Sequence, residues 1–183
     1  MSRSRLLLSP LFASLVAFLA TEALATTMVP RSVEDLARAS QSIVRATTLS
    51  SHSTWDASHR VIITTVRLRA LEKIAGNIEA AAEFEVEQMG GIADGIEMTV
   101  IGAPSFEAGQ EVVLFLQPDA QGHLGVVDLA QGKLEVSRDA SGRDRVTRRD
   151  LAAVEWAGGN GPDRIADLAT LRTRVASALH NAH

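Results

Sequence analysis

The stretch VIITTVRLRAL, residues 61–71, decides the fold class of this sequence. Its β-branched residues favour an extended backbone, and its side chains alternate with the period of two that is typical of a half-buried strand. The two predicted faces are Ile62, Val66, Leu68 and Ala70 on one side, and Ile63, Thr65, Arg67 and Arg69 on the other. We therefore predict a β-strand with its first face in the core.

The residues before this strand predict a β-hairpin. SIVRATTL, residues 42–49, has a second strand pattern, and HSTWDASH, residues 52–59, lies between the two strands. Polar, turn-prone residues between two strand patterns indicate a hairpin loop. In that loop we expect Trp55 to cover one end of the fold and Asp56 to make a local turn hydrogen bond.

The residues that follow predict more strands. AEFEVEQM, residues 82–89, alternates strictly, so Phe84 and Val86 are expected to point inward while three glutamates share the solvent face. These are Glu83, Glu85 and Glu87. VVLFL, residues 112–116, is a continuous apolar run typical of a strand buried on both faces, at the centre of the core.

Shorter strand patterns complete a mainly β fold. LGVVDL, GKLEV and RDRVT, within residues 124–147, are separated by Gln-Gly and Ser-Gly turn signals. Short strands at this close spacing are typical of a small barrel or sandwich. We predict an α+β fold: a small OB-like antiparallel β-barrel with a short N-terminal helix and a C-terminal amphipathic helix.

Two helices are predicted at the ends of this β region. In RSVEDLARAS, residues 31–40, Ser32 is placed to cap a helix and Asp35 follows as in a capping box. PDRIADLATLRTRVASALH, residues 162–180, has apolar residues at helical spacing, and Pro162 suits a first turn. RRDLAAVEW, residues 148–156, is compatible with one or two helical turns.

The first 25 residues have the three parts of an export signal. Arg3 and Arg5 supply a positive start, residues 6–20 form an apolar stretch, and Ala23 to Ala25 form a small-x-small cleavage site. A membrane anchor is disfavoured because a Ser-Pro pair interrupts a run shorter than the ~20 residues that cross a bilayer. The protein is therefore expected to be exported, periplasmic or secreted, with no stable membrane span after cleavage.

The remaining residues divide into two predicted parts. Residues 26–149 are predicted as the β-barrel domain, and residues 150–183 as a helical extension packed on it. Without residues 1–25 the formal net charge of −4 becomes about −5, a moderate charge that serves solubility. The chain contains no cysteine, which excludes disulfides, a lipid-modified cysteine and thiol chemistry.

Charge is unevenly distributed along the chain. Residues 74–132 contain acidic residues but no lysine or arginine, and five arginines follow closely. They are Arg138, Arg143, Arg145, Arg148 and Arg149. Two hypotheses remain open: opposite charges on different faces, or a solvated surface whose two halves neutralise each other.

The motifs of common catalytic sites are missing from the sequence. It has no Gly-x-Ser-x-Gly elbow, and its glycine clusters lack the other residues of a nucleotide site. His52, Asp56 and His59 are suitable metal ligands, but they lack a fourth neighbouring ligand and the helical His-x-x-x-His spacing. We therefore predict no cofactor and no catalytic residue, with these three as a weak candidate metal site.

Nucleic-acid binding is disfavoured. Stacking platforms for bases need aromatic residues and a basic groove, whereas the chain after residue 25 has five aromatic residues, no tyrosine and a net negative charge.

Several sequence segments, taken in their order along the chain, resemble a known family. MVPRSVEDLARASQSIVRATTLSSHSTWD is followed by a long strand, by GAPSFEAGQEVVLFLQP and by VVDLAQGKLEV. Together they resemble a family of short exported bacterial proteins of unknown function, over roughly residues 27–137. Such chains are similar to OB-type barrels of the netrin/tissue-inhibitor-of-metalloproteinase kind, which implies a binding or inhibitory module. The inhibitors depend on cysteines that this sequence lacks.

Two hypotheses about function follow. The first is an exported, non-catalytic binding or accessory module of the bacterial envelope, which binds an envelope or extracellular protein through Glu83, Glu85 and Glu87. The second is a metal-binding protein or metal-dependent enzyme that uses the loop from His52 to His59.

Overall fold

The computed structural model of the protein describes residues 27–152 and 154–181, so the predicted signal peptide at residues 1–25 lies outside the described residues. The strands are β1 Thr27–Met28, β2 Ser42–Trp55, β3 Ile62–Ala75, β4 Glu83–Met89, β5 Gly91–Ala93, β6 Ile96–Met98, β7 Glu111–Pro118, β8 Leu124–Val126, β9 Lys133–Arg138, β10 Asp144–Thr147 and β11 Glu155–Trp156. The α-helices are α1 Val33–Ala39 and α2 Leu168–His180, and a 3₁₀ helix spans Leu129–Gly132. Over the residues that the structure describes, the protein is mainly β with two α-helices, as the sequence predicts.

One antiparallel sheet of seven strands organises the molecule. Its order is β10-β9-β7-β2-β3-β4, and β8 pairs with β7 beside β9. β5 and β6 form a separate small hairpin, while β1 and β11 form a parallel pair. Among the described residues no strand pairing joins β4 to β8 or to β10, so backbone hydrogen bonds do not close the sheet into a ring.

The strand that decides the fold class forms as predicted. β3 extends to Ala75 and is buried at every second residue from Ile62 to Ala70. Its arginines Arg67 and Arg69 lie on the solvent face. The alternation of side chains therefore sets which face of the central sheet meets the core.

The hairpin between β2 and β3 forms, but its loop is shorter than HSTWDASH. β2 continues through His52 to Trp55, and each of these residues pairs with a residue of β3. The turn itself is made by residues 56–61, where the Asp56 N–H donates to the Val61 carbonyl at 2.8 Å. The prediction of a loop from His52 was wrong because cross-strand pairing with β-branched residues such as Ile63 holds these polar residues in a strand.

β7 lies at the centre of the core, as its apolar run predicts. The side chains of residues 112–116 are all fully buried. Val113 and Phe115 belong to one apolar cluster, and Val112, Leu114 and Leu116 belong to a second. Since neighbouring residues of a strand point to opposite faces, the two clusters lie on the two sides of the sheet.

The first cluster is covered by both helices. α1 begins where predicted: the Ser32 hydroxyl accepts the Asp35 N–H at 3.1 Å, and Val33 and Leu36 are buried. α2 contributes Leu168, Leu171 and Val175. Among the described residues, no helix is both long and apolar enough to span a membrane.

α2 begins later than the pattern from Pro162 predicts. The Asp167 carboxylate caps the helix by accepting the Thr170 N–H at 2.8 Å. Residues 161–166 are not helical, although Ile165 is buried in the same cluster. The helical spacing of apolar residues includes Ile165, which precedes the Asp167 cap, because Ile165 packs on the sheet although its segment is irregular.

The segment RRDLAAVEW also differs from its prediction. Turn residues occupy 150–152, and the segment ends in β11, whose Trp156 pairs in parallel with Met28 of β1. Pairing with a distant strand decides this conformation, which local helix propensity does not encode.

Candidate functional site

The predicted acidic row lies on the solvent face of β4. Its register sets Glu83 opposite Arg69, Glu85 opposite Arg67 and Glu87 opposite Thr65. Phe84 and Val86 point to the core side, as the alternation predicts. The structure therefore brings the three glutamates together on one face, with two arginines of β3 beside them.

Arginines compensate part of the charge of this row. Glu83 accepts hydrogen bonds from Arg69 at 2.6 Å and from Arg67 at 2.5 Å. These bonds, first that from Arg69, lower the pKa of Glu83. Glu87 Oε2 lies 3.2 Å from His123 Nδ1. The row is a surface of mixed charge, and its role in binding stays a prediction.

Of the three candidate metal ligands, Asp56 and His59 share the turn of residues 56–61, where the His59 N–H donates to the Asp56 carbonyl at 2.9 Å, and His52 lies apart from them in β2. His52 lies in β2 opposite Thr65, and the His59 ring stacks on Trp55 with 6.2 Å between ring centroids. Asp56 accepts from the Arg60 and Val61 N–H groups at 2.8 and 2.9 Å and from the Ser58 hydroxyl. The expected turn hydrogen bond of Asp56 is present, and Trp55 lies against His59.

Metal coordination by these residues stays a prediction. Across residues 27–152 and 154–181, no group of three or more His, Asp or Glu side chains is arranged to hold a metal ion. The hydrogen bonds to Asp56, led by that from Ser58, hold the pKa of its carboxyl far below the usual range.

A cavity lies elsewhere, beside β10. It has a volume of about 640 Å³ and lies between β10 and the segment that leads into α2. We call it the arginine cleft, and define it by five of its lining residues, which carry charge or an aromatic ring. They are Arg145, Arg148, Trp156, Asp163 and Arg164.

Arg148 is the most deeply buried cation of the arginine cleft, with a side chain only 7 % exposed. Its Nε donates to the Gln131 carbonyl at 3.1 Å, and its Nη1 donates to the Asp163 carbonyl at 2.8 Å. Its Nη2 is buried and has no hydrogen-bond partner among the described residues. Burial lowers the pKa of Arg148, although a guanidinium stays charged in proteins.

Asp163 is the carboxylate of the arginine cleft, and Arg174 of α2 engages it. Arg174 Nη1 donates to Asp163 Oδ2, whereas Arg148 Nη1 lies 3.7 Å from Asp163 Oδ1. Arg174 also donates to both oxygens of Glu34 on α1, at 2.7 and 2.6 Å. The irregular segment that lines the cleft is thereby tied to both helices.

A buried ion cluster fixes the other side of the segment after β10. Lys133 of β9 is 1 % exposed at its side chain; its Nζ donates to Asp150 at 2.9 Å and lies 5.2 Å from the ring centroid of Phe106. Burial by itself would raise the pKa of Asp150, but hydrogen bonds from Ser105 and Lys133 outweigh it, and the pKa lies below its usual value. The polar groups of Lys133 are satisfied, which indicates a structural role.

The arginine cleft combines positive charge with apolar surface. Within the described part of the chain, Arg145 and Arg164 form no ion pair, and Asp163 is the one acidic side chain of the lining. Trp156 packs so closely on Gly161 that a Cβ there would lie 3.1 Å from its Nε1. A concave site with a few polar groups and an aromatic wall is the usual form of a small-ligand site.

Sequence reasoning did not identify this cleft as a site. The signal was the basic segment, since Arg145 and Arg148 belong to the five arginines noted there. The same cleft also contains Trp156, Asp163 and Arg164. Their positions depend on the β1–β11 pair and on the late start of α2, which the sequence patterns did not reveal. No protein-family model matches this chain, and no curated protein sequence matches it either.

Proposed function

We propose that this protein is an exported, non-catalytic binding module of the bacterial envelope that holds a small organic ligand in the arginine cleft. The observation that carries the proposal is the cleft itself: a cavity of about 640 Å³ with a buried guanidinium and an indole ring in its wall. Sites that recognise small molecules have this combination of volume, apolar wall and few fixed polar groups.

The lining favours binding over catalysis. Among the described lining residues there is no histidine, and Asp163 is already bound by Arg174. General acid-base chemistry needs a group that exchanges a proton near neutral pH, and nucleophilic catalysis needs an activated nucleophile. Arginine serves neither purpose, since it does not deprotonate in proteins.

The proposed frame of the module is an OB-like barrel built from β2, β3, β4, β7 and β8. Its support is the approach of β4 to β8, where a Cβ on Gly125 would lie 3.9 Å from the Glu87 carbonyl. A meander β2-β3-β4, followed by a strand that returns to the free edge of β2, also fits a partly open Greek-key barrel. This arrangement supports the relation to barrels of the netrin/tissue-inhibitor-of-metalloproteinase kind. Nuclear Overhauser effects between Glu87 and Gly125 would support the barrel, and their absence would contradict it.

Export rests on the three-part pattern of residues 1–25. We expect the full chain, expressed in a Gram-negative host, to yield a periplasmic or secreted protein whose first residue is Thr26. Mass spectrometry of the cell fractions measures this directly. A protein that keeps residues 1–25 in the cytoplasm would contradict export without touching the proposed ligand site.

Three matched probes test the ligand site: 2-naphthoate, naphthalene-2-carboxamide and 2-naphthylmethylammonium, which share one ring system and differ in charge. The chain has two tryptophans, so the indole N–H signals in a ¹⁵N–¹H spectrum give a site readout and an internal control. We expect at least one probe to shift the Trp156 signal while the Trp55 signal of the β2–β3 hairpin stays in place.

Substitution of two alanines by phenylalanine gives this experiment a test variant and a matched control. Ala166 is exposed and lines the cleft, whereas Ala176 is exposed on α2 and does not. Ala166→Phe should fill the cleft and abolish the shift, and Ala176→Phe should preserve it. If none of the three probes moves the Trp156 signal, the arginine cleft is not a ligand site and the proposal falls.

The acidic row remains a separate prediction about protein partners. Cross-linked pull-down from cell envelope and culture medium should compare the mature protein with a folded Glu83→Lys, Glu85→Lys, Glu87→Lys variant. A specific partner that is lost on charge reversal would locate a docking face on β4. Recovery of the same partner by both proteins would exclude this face of β4 as the docking surface.

A further inference from the structure

We infer that the ligand of the arginine cleft is an organic anion, whose acidic group pairs with the Arg148 guanidinium and whose apolar body lies against Trp156. The inference rests on the proposed function and adds the chemical class of the ligand to it.

Arg148 has one guanidinium donor without a partner among the described residues. Its Nε and Nη1 donate to two backbone carbonyls, of Gln131 and Asp163, which fix the plane of the guanidinium. Carbonyl oxygens accept hydrogen bonds but carry no net charge, so they orient the cation without neutralising it. The remaining Nη2 is buried without a partner among the described residues, and an unsatisfied buried donor of a charged group is costly.

Positive charge exceeds negative charge in the lining of the cleft. Three arginines line it, against the carboxylate of Asp163. That carboxylate is the hydrogen-bond acceptor of Arg174 and lies 3.7 Å from Arg148 Nη1. The next acid along the chain, Asp167, caps α2, and its pKa is lowered first by the Thr170 N–H and less by the charges of Arg145 and Arg143. An anion in the cleft would therefore meet an excess of positive charge in a partly dehydrated place, where electrostatic attraction is stronger than in bulk water.

The cleft also has an apolar wall that the body of a ligand can contact. Trp156 and Ile165 contribute apolar wall to the same cleft, which an inorganic anion would leave uncovered. A flat or aliphatic molecule that carries a carboxylate or another acidic group can contact the arginines and the apolar wall at the same time.

The experiment compares the affinities of 2-naphthoate and naphthalene-2-carboxamide, which have nearly the same shape, with Trp156 as the readout. In the wild-type protein we expect 2-naphthoate to bind about tenfold more tightly, the effect of one charge-assisted hydrogen bond. Raising the salt concentration from about 0.05 M to about 0.5 M should reduce this ratio, because screening weakens charge attraction.

Three variants locate the effect. Arg148→Met should remove most of the preference for the anion. Arg164→Gln, at an exposed position, should reduce it by roughly threefold and serves if Arg148→Met does not fold. Arg60→Gln carries the same charge change at the exposed β2–β3 turn and should leave the preference unchanged.

The outcomes separate this inference from the proposed function. Equal affinity for the two probes, or a preference that neither salt nor Arg164→Gln reduces, overturns the anion assignment while the cleft remains a ligand site. Failure of the amide, the anion and the matched cation to bind overturns the proposed function itself. Loss of most of the preference on removal of Arg148, or its reduction on removal of Arg164, with no change on removal of Arg60, supports the anion site.

Discussion

At the scale of single residues, two glycines show how differently the same residue type is constrained. Gly91 precedes Ile92 in β5 with a φ of +129°, and a Cβ there would lie 2.3 Å from both Ser53 Oγ and Thr64 Oγ1. Gly95 ends the tight β5–β6 turn with a φ of +78° and has no heavy atom within 4 Å of a built Cβ. The first glycine is required by packing and backbone together, and the second by backbone alone.

Alanine at the two positions should therefore cost different amounts of stability. We expect Gly95→Ala to lower the free energy of unfolding by about 1 kcal/mol, the cost of a left-handed residue with a Cβ. Gly91→Ala should lower it by more than about 2 kcal/mol, because the hydroxyl pair of Ser53 and Thr64 must also move apart. Urea unfolding measures both, and equal costs would contradict the close approach at Gly91.

Glu34 is the residue whose charge connects the two helices. The hydrogen bond from Arg174 lowers its pKa from 4.5 to about 2. A lowered carboxyl pKa stabilises the folded state fully above the unfolded value of 4.5, and this contribution is lost as the pH falls through the folded value near 2. Both side chains are nearly a third exposed, so the contribution is modest.

Glu34→Gln should lower the free energy of unfolding by about 1 kcal/mol at pH 7, and the difference from wild type should vanish by about pH 2. Denaturant unfolding at a series of pH values gives the result. Glu107→Gln, at an exposed acid whose side chain forms no ion pair among the described residues, is the matched control and should change stability little. If the difference in stability between wild type and Glu34→Gln persists unchanged at low pH, the Glu34–Arg174 pair is not its source.

At the scale of elements, β7 is the strand on which both sides of the fold depend. Phe115 packs in the cluster covered by α1 and α2, and Leu114 packs in the cluster on the other side of the sheet. Both are fully buried. Gln117 lies in the same strand but is exposed, which provides an internal comparison.

Substitution of the buried side chains by alanine should show that both faces of β7 are packed. We expect Phe115→Ala to cost about 3–5 kcal/mol and Leu114→Ala about 2–5 kcal/mol, from lost apolar transfer and the cavity left behind. Gln117→Ala should change stability by less than about 0.5 kcal/mol. Equilibrium denaturation tests all three, and a small cost at either buried position would mean that one side of β7 is not packed as described.

At the scale of the whole molecule, the two apolar clusters share one sheet. The cluster under the helices joins Leu171 and Val175 of α2 to Ile43 and Phe115 of the sheet. Residues after 150 are therefore packed on the same strands that form the opposite cluster. A molecule connected in this way should lose both clusters together.

Two single-tryptophan variants test this cooperativity, and with it the predicted division at residues 149 and 150. Trp156→Phe leaves Trp55 as a probe of the hairpin, and Trp55→Phe leaves Trp156 as a probe of the C-terminal part. We expect the two fluorescence transitions and the far-ultraviolet circular dichroism transition to have one midpoint. A separate, earlier transition of Trp156 would show that residues 150–183 unfold as an independent unit.

The sequence by itself determined the elements whose information is local. The alternation of β3 and β4, the continuous apolar run of β7 and the Ser32 cap of α1 were each predicted from a few neighbouring residues and are present in the structure. The physical reason is that side-chain period and helix capping act over a few residues.

Only the tertiary structure decided the features that join distant parts of the chain. Cross-strand pairing extended β2 through His52 to Trp55, and the pairing of β1 with β11 replaced a predicted helical turn. The arginine cleft likewise depends on packing, because it brings β10 together with residues 162–166, where the apolar pattern predicted a helix that does not form. The sequence showed that arginines cluster near residue 145. The fold decided that Arg148 is buried with one donor that has no partner among the described residues, because burial depends on which remote segments cover a residue.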